Sequence, residues 1–412
     1  MSVPMLLLVG SGPAPLRRYA IEAAAAEQPL LLIDSQEPTW QRPYIVDHVV
    51  TDLTDSHQVL GAAASLGRHW PIGGVLTFDE YHLVTAARLA EHLQLPATAP
   101  IAVGAARDKA TSRHLFAACD VPSAAFTWVH SLEAAASAAE RLGGYPVVLK
   151  PAAHAGSVGV VRVNHITELP DRWAIASTGA AHQGPEGDGV LLEEFLDGPE
   201  ISVETVTQNG FTTAVAVTRK ALGFAPYFME TGHRVEANDP LLDDVAPIAS
   251  AALRALGITH GVSHVEMRLT PDGPRLIEVN ARVGGDRIGE LVRHATGVDL
   301  VKAAAALACG REPDLTPTTA RAAAIGMIYP PADGIVTSLA LKTGDDTHLE
   351  DLQWLCDVGD EVTLTPSPRT PGNIRAGFAI VTGDSAEAAD RHLSDVLDRT
   401  AIGVRTTMVN VA

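Results

Sequence analysis

From His264 to Arg282 the chain alternates apolar and polar residues with a period of two on both sides of Thr270-Pro271-Asp272-Gly273-Pro274, a stretch rich in turn residues. Two antiparallel strands joined by this five-residue loop are expected. Val265, Met267 and Leu269, with Ile277 and Val279, form one apolar face. His264, Glu266 and Arg268, with Leu276, Glu278 and Asn280, form the other. A hairpin centred on Asp272 sets Glu266 opposite Glu278 and His264 opposite Asn280.

The N-terminal pattern is different. Met5–Val9 and Leu30–Asp34 are continuous apolar runs on either side of Gly10-Ser11-Gly12 and an Ala-rich helical stretch at 16–27. This βαβ opening predicts parallel strands. The glycine turn reads as a tight strand-to-helix connection, because Pro15 stands where a dinucleotide fingerprint expects its third glycine. A strand at 74–78 ends on Asp79 and Glu80, a position that can face a ligand; both are read as capping the next helix, 82–93. After a break at 96–100, Asp108 is a plausible N-cap for a helix running to Cys119. Lys109 then lies in its first turn, against the helix dipole.

Strands at 126–129 and 147–151 flank a helix at 132–142, and Lys150 ends the second strand. The small, glycine-containing segment 152–160 leads back into strand at 158–163. Residues 171–188 are polar and glycine-rich and read as a loop. Strands at 190–196, 200–206 and 211–220 form an antiparallel sheet, Glu230 to His233 reads as a loop, and Leu242–Leu256 as a helix. Gly284 and Gly285 open a turn ahead of one long helix at 290–309. From 322 onward, short strands alternate with Gly/Pro turns and end in a helix near 386–400.

Composition narrows the class. A hydrophobic content of 46% with 19% charged residues is globular, and 412 residues suffice for two to four domains. The net charge of −19 argues against a nucleic-acid backbone or an anionic membrane as partner. Cys119, Cys309 and Cys356 are far apart and form no CxxC, so neither a zinc site nor a disulfide framework is suggested, and a reducing cytoplasm fits. The apolar runs fall far short of the roughly 20 residues that span a bilayer. No basic region precedes the first apolar run, so no signal peptide is expected.

The hairpin carries the candidate chemistry. Two carboxylates opposed across a sheet repel unless one is protonated or a cation lies between them. Hard oxygen donors of this kind suit Mg²⁺, which takes one or two carboxylates together with phosphate oxygens. Arg282, two residues beyond Asn280, adds a planar cation for an anionic group. The segment holding Gly156 and Ser157 can lay backbone N–H groups and the Ser157 hydroxyl over phosphates, or flex as a lid. It is not a Walker loop, since GxxxxGK[ST] is absent.

Arg107-Asp108-Lys109, Val148-Leu149-Lys150-Pro151, Gly156-Ser157, the run 192–196 and Glu278-Val279-Asn280-Ala281-Arg282, in this order, resemble the ATP-grasp superfamily in its carboxylate–amine ligase branch. Glu230 and His233 resemble the Glu-x-x-His of bacterial L-amino-acid ligases, and Glu278 to Gly285 the corresponding run of carnosine-synthase-type enzymes. The resemblance implies an α/β and α+β chain of four parts. These are a Rossmann-like α/β domain (1–105), a linker helix and lid (106–190), a larger antiparallel-sheet catalytic domain (191–320) and a C-terminal subdomain (321–412).

It also implies roles. Lys109 and Lys150 contact ATP phosphates, and Ser157 joins them from the lid. Glu193, Glu194 and Leu196 form the adenine hinge, and Glu200 holds the ribose. Glu266, Glu278 and Asn280 bind one or two Mg²⁺, with Mn²⁺ a possible substitute. Arg282 stabilises the transferred phosphoryl group, and Glu230 and His233 belong to the substrate pocket. Apart from the resemblance, Arg287 either clamps a substrate carboxylate or makes an exposed salt bridge. The expected reaction joins a carboxylate to an amine of amino-acid-like substrates; a cytoplasmic location is expected, and a homodimer is the commonest prior for the assembly. The alternatives are a biotin-carboxylase-like or purine-pathway enzyme, or a nucleotide-binding regulator without turnover.

Overall fold

The computed structural model describes residues 3–152, 156–181, 189–364 and 375–406. The first sheet is parallel, in the order β3-β2-β1-β4, and is built from β1 (Met5–Val9), β2 (Leu30–Asp34), β3 (Ile45–Val50) and β4 (Ile72–Leu76). Its central strands are apolar up to Asp34 at the end of β2, because helices cover both faces. These helices include α1 (Ala14–Glu27), α2 (Ser56–Gly67) and α3 (Leu83–His92). Gly10 and Gly12 both have positive φ, which makes the turn into α1 tight. Helices α4 (Pro100–Arg107) and α5 (Lys109–Ala118) lead out of this domain, and the Asp108 side chain caps α5 by accepting from the Thr111 N–H at 2.6 Å.

A small antiparallel sheet follows, in the order β5-β8-β6-β7: β5 (Phe126–Val129), β6 (Val147–Pro151), β7 (Val161–Val163) and β8 (Val190–Glu194). It takes in β8, so the lid sheet extends past residue 190. Helices α6 (Leu132–Arg141) and α7 (Leu169–Ala181) cover it. The expected loop at 171–188 is therefore helical through Ala181, while 182–188, like residues 153–155 of the glycine-containing tip, lie outside the described residues. The lid touches the main body where the Arg162 N–H donates to the Pro226 carbonyl at 2.9 Å and Val161 bridges Tyr227, and again where Arg275 of the main sheet pairs with Glu194 of β8.

Among the described residues the main sheet has eight strands. It comprises β9 (Glu200–Gln208), β10 (Phe211–Gly223), β11 (Met229–Glu236), β12 (Gly261–Thr270), β13 (Gly273–Asn280) and β14 (Ala322–Ile328), continued by C-terminal strands. The others of that region are β15 (Gly334–Leu341), β16 (Leu349–Trp354), β17 (Glu361–Val362), β18 (Gly377–Gly383) and β19 (Thr400–Arg405). The order β13-β12-β9-β10-β11-β14-β18-β16 shows that the C-terminal region extends the same sheet, while β17-β15-β19 form a separate small one. Helix α8 (Leu242–Leu256) packs its apolar side, with Val245, Ala249 and Leu253, on the β9, β12 and β13 core. The single helix expected at 290–309 is two, α9 (Ile288–Thr296) and α10 (Leu300–Ala308), divided at Gly297 with φ +81 and restarted by the Asp299 cap. Helix α11 (Ala386–Arg399) closes the C-terminal region.

The β12–β13 hairpin corrects one detail and keeps another. Thr270 pairs with Gly273, so the connection is a two-residue turn rather than a five-residue loop. Carried unbroken, that register would set Glu266 opposite Ile277. A bulge between the pairs Met267–Leu276 and Glu266–Glu278 inserts one extra residue and brings the two carboxylates opposite each other, with His264 opposite Asn280. The same bulge sends Leu276, expected on the polar face, into the core with Met267, and leaves Ile277 on the cleft.

Candidate active site

One cleft, with a cavity volume of about 360 Å³, lies where the N-terminal domain, the lid and the main sheet meet. The site residues expected from the sequence all line it: Lys109, Lys150 and Ser157; Glu193, Glu194, Leu196 and Glu200; and Glu230, His233, Glu266, Glu278, Asn280 and Arg282.

At the floor, each of the opposed carboxylates has its own lysine. Lys109 Nζ is 2.9 Å from Glu278 Oε1, which supplies the anion that a cation in the first turn of α5 calls for. Lys220 Nζ, from β10, is 2.7 Å from Glu266 Oε1. His264 stands between Glu266, 3.0 Å from Nε2, and the fully buried Glu204, 2.9 Å from Nδ1. Burial alone would lower the His264 pKa, but these two carboxylates raise it to about 9, so the ring is an imidazolium donating to both. Glu204 is fixed in turn by the Ser202 and Thr218 hydroxyls at 2.7 and 3.0 Å. Although burial opposes it, Lys220 and His264 hold the Glu266 carboxyl well below the usual carboxylate range.

These contacts engage only Oε1 of Glu266 and Glu278. Oε2 of both carboxylates and the Asn280 amide have no hydrogen-bond partner among the described residues. Free, hard oxygen donors on adjacent strands beside two lysines fit Mg²⁺ carrying a polyphosphate.

Lys150 is the last residue but one of β6 in the lid, 2.6 Å from Glu193 Oε2, and Arg113 of α5 lies 3.0 Å from the other oxygen of the same carboxylate. All three are buried. Burial, with Arg113 and Lys109 adding to it against the pull of Glu193, lowers the Lys150 pKa to about 8. Glu193 thus holds two cations in place. Glu194 accepts from the Ala125 N–H at 2.8 Å and pairs with Arg275 at 2.9 Å. Ser157, with φ +57, follows Gly156 at the lid tip. Glu200 lies 3.0 Å from Arg268 and 3.3 Å from Lys220, and burial raises its pKa despite them.

Arg282 Nε is 2.7 Å from Glu80, which also stands 3.7 Å from Arg107. Asp79 is the residue that caps, accepting from the Tyr81 N–H at 2.9 Å, while Glu80 turns into the cleft. His233, expected in a loop, is in β11 and buried, with Nε2 3.1 Å from Asp286. Glu230, His233 and Asp286 each bring a donor atom within 4.8 Å of the others. Arg375 supplies the cation there, at 2.6 Å from Asp286 and 3.3 Å from Glu230, and with His233 it keeps Asp286 well below the usual carboxylate range against burial. Arg287 points away from the cleft. It is buried, with Glu290 2.6 Å from Nε, the Pro15 carbonyl 2.8 Å from Nη1 and Asp351 3.0 Å from Nη2.

Sequence reading missed Lys220, Arg113, Glu204, Asp286 and Arg375 as members of this network. Only Lys220, a lysine within an otherwise alternating strand, left a faint signal.

A parallel α/β domain, a small antiparallel sheet and a large antiparallel sheet, closing on a cleft of lysines and opposed carboxylates, define the class. An ATP-grasp domain model matches residues 143–290, and an ATP-grasp N-terminal domain model matches residues 23–97. The chain belongs to the ATP-grasp superfamily. Among similar proteins, carnosine synthase 1 of Mus musculus is 27% identical over 95% of this chain and 50% of its own length. The L-arginine-specific L-amino acid ligase of Bacillus subtilis is 22% identical over 66% of this chain and 65% of its own. The chain spans about half the length of the first curated relatives it matches. The crystal structure of an L-amino acid ligase from Bacillus licheniformis has the same fold, with a TM-score of 0.80 and 21% identity over 98% of this chain and 100% of that one. Among the described residues no helix is long and apolar enough to cross a membrane.

Proposed function

We propose that the chain is an ATP- and Mg²⁺-dependent ligase that activates a carboxylate as an acyl phosphate and joins it to an amine, both substrates being amino acids or close analogues. The observation that carries this reading is the pair Glu266 and Glu278, opposed across the hairpin, each tied by one oxygen and open at the other. That arrangement suits a divalent cation, Mg²⁺ or in its stead Mn²⁺. When bound there, the ion supplies charge neutralisation to the β- and γ-phosphate oxygens.

A carboxylate is a poor electrophile, so amide formation needs an activating step. The substrate carboxylate attacks the γ-phosphorus of ATP, ADP leaves, and an acyl phosphate forms. The amine attacks the acyl carbon, sheds a proton, and inorganic phosphate leaves. Phosphoryl transfer asks chiefly for in-line positioning and charge stabilisation. Lys109, Lys150 and the lid residue Ser157 are assigned to the phosphates, and Arg282, oriented by Glu80, to the transferred group. Glu193, Glu194, Leu196 and Glu200 are assigned to the adenosine end, with Glu193 acting through Lys150 and Arg113. Glu230 and His233 are assigned to the substrate pocket. The lid excludes water while the acyl phosphate exists. A cytoplasmic location and a homodimer complete the reading.

The test is ADP release from ATP and Mg²⁺ with pools of amino acids. Release that depends on two amino acids together supports the ligase. Dependence on bicarbonate would point to a carboxylase, and no release under any condition to a nucleotide-binding regulator.

A further inference from the structure

Among the described residues, every lysine and arginine lining the cleft has a carboxylate within salt-bridge distance except one. Lys109 has Glu278, Lys150 and Arg113 share Glu193, Lys220 has Glu266, Arg268 has Glu200, and Arg282 has Glu80. Arg17 lines the same cleft and has no hydrogen bond or ion pair among the described residues. It is half-buried in the first turns of α1, where a cation works against the helix dipole. Lys109 is in the same situation at the start of α5, and Glu278 offsets it. No acidic residue occupies the first turn of α1 to do so for Arg17. The chain nevertheless makes room for this side chain. Gly12 has φ +69, and a Cβ there would lie 3.0 Å from Arg17 Cγ. Burial lowers the Arg17 pKa, and neighbouring Arg282 adds to this, against Tyr19, Asp79 and Asp286. The guanidinium stays charged all the same, because its ordinary value is so high.

We propose that Arg17 is a substrate-binding residue that holds the carboxylate of the amine-donating substrate, which makes that substrate a free α-amino acid rather than an amine lacking a carboxylate. The inference rests on the ligase reading above. Arg17 comes from the N-terminal domain and is close enough to Arg282 to feel its charge, so an anion bound to it lies beside the residue assigned to the transferred phosphoryl group, where the acyl phosphate forms. Asp79 and Asp286 act on the same spot with negative charge. One free cation with acids nearby matches the carboxylate and ammonium of a zwitterion. A guanidinium fork suits a carboxylate bidentately.

The experiment uses the full chain and the amino-acid pair giving the highest ADP release, with the amine donor supplied as the free acid and as its carboxamide. The unmodified enzyme is expected to prefer the acid. In Arg17→Gln, KM for the acid is expected to rise about 10- to 100-fold, the loss of one charge-assisted contact, while KM for ATP stays level and the preference for acid over amide disappears. Arg17→Lys should restore part of the preference. A merely structural role would weaken acid and amide alike, so an unchanged acid-to-amide ratio in Arg17→Gln overturns the inference and leaves the ligase reading standing. A rise confined to KM for ATP overturns it too, by assigning Arg17 to the nucleotide. Absence of amino-acid-dependent release in the unmodified enzyme sinks the ligase reading, and the inference with it.

Discussion

Lys220 Nζ and Glu266 Oε1 stand 2.7 Å apart, and the same buried ammonium lies 2.6 Å from Glu230 and 3.3 Å from Glu200. Burial opposes its charge, yet the three carboxylates raise its pKa well above the ordinary value. Lys220 is therefore the centre that lets three acids share one wall of the cleft. Lys220→Met should lower stability by about 3–5 kcal/mol, the usual result of removing one partner from a buried ionic cluster. Mg²⁺ should raise the melting temperature of the variant more than that of the parent, because the ion replaces part of the missing charge. Equal melting temperatures for the two proteins would refute this account.

Glu278→Gln tests the cation assignment. It removes one of two opposed acids and the ion-pair partner of Lys109 while keeping the side chain's size. Turnover measured as ADP release should fall by about 100-fold or more, since charge stabilisation is usually the largest catalytic term. Stability should fall as well, because the buried Lys109 loses this ion-pair partner, and relief of the like charge facing Glu266 offsets only part of that loss. Near-normal turnover would remove Glu278 from the metal site.

Lys150 sets a pH dependence. Its folded-state pKa is about 8, against an ordinary 10.5. Since the folded value is depressed, the associated stability is complete above about pH 10.5 and is lost as pH falls through 8. It amounts to roughly 3 kcal/mol at 1.4 kcal/mol per unit. Nucleotide binding runs the other way, because phosphates favour the charged amine. ATP affinity should weaken as pH rises through 8, by at most about tenfold per pH unit, and Lys150→Arg should flatten that profile. Calorimetric titration between pH 7 and pH 9 checks both the slope and its loss.

The parts legible in the sequence are those fixed by local periodicity. The continuous apolar runs of β1 and β2 announce a parallel sheet, and two alternating runs around a turn announce the β12–β13 hairpin, although Glu266 faces Glu278 only because a bulge offsets the shorter turn. What escapes the sequence depends on distant partners. β11 reads as a loop because Gly232 interrupts it, yet a Cβ at that position would lie 2.6 Å from the Ile325 carbonyl oxygen of the neighbouring strand. α7 reads as a loop because of its Ser, Thr and Gly content, while Gly179 packs closely on Gly159 and Pro151. Glu80 reads as a cap, but its partner Arg282 lies 202 residues away. Lys220 becomes meaningful only once four strands bring its acids together.

Arg287 offers the sharpest separation of stability from chemistry. Its sequence position, five residues beyond Arg282, suits a substrate clamp as well as an exposed salt bridge, and the structure shows salt bridges that are buried rather than exposed. The guanidinium reaches Glu290 in α9, the Pro15 carbonyl at the start of α1 and Asp351 in β16, with the Tyr19 ring 4.8 Å away. It therefore ties the N-terminal domain to the C-terminal strands from behind the cleft. The residue has φ +62, a left-handed conformation uncommon for a non-glycine residue, held by these contacts. Arg287→Ala leaves Glu290 with Arg293 and His294 alone, at 3.3 and 3.8 Å, and strips Asp351 of this partner. A loss of about 3 kcal/mol is expected, read as earlier unfolding in denaturant. KM for both substrates, measured well below the unfolding transition, should stay within about twofold, since no binding contact is removed. A large rise in KM with stability intact would reverse the assignment and make Arg287 the clamp after all.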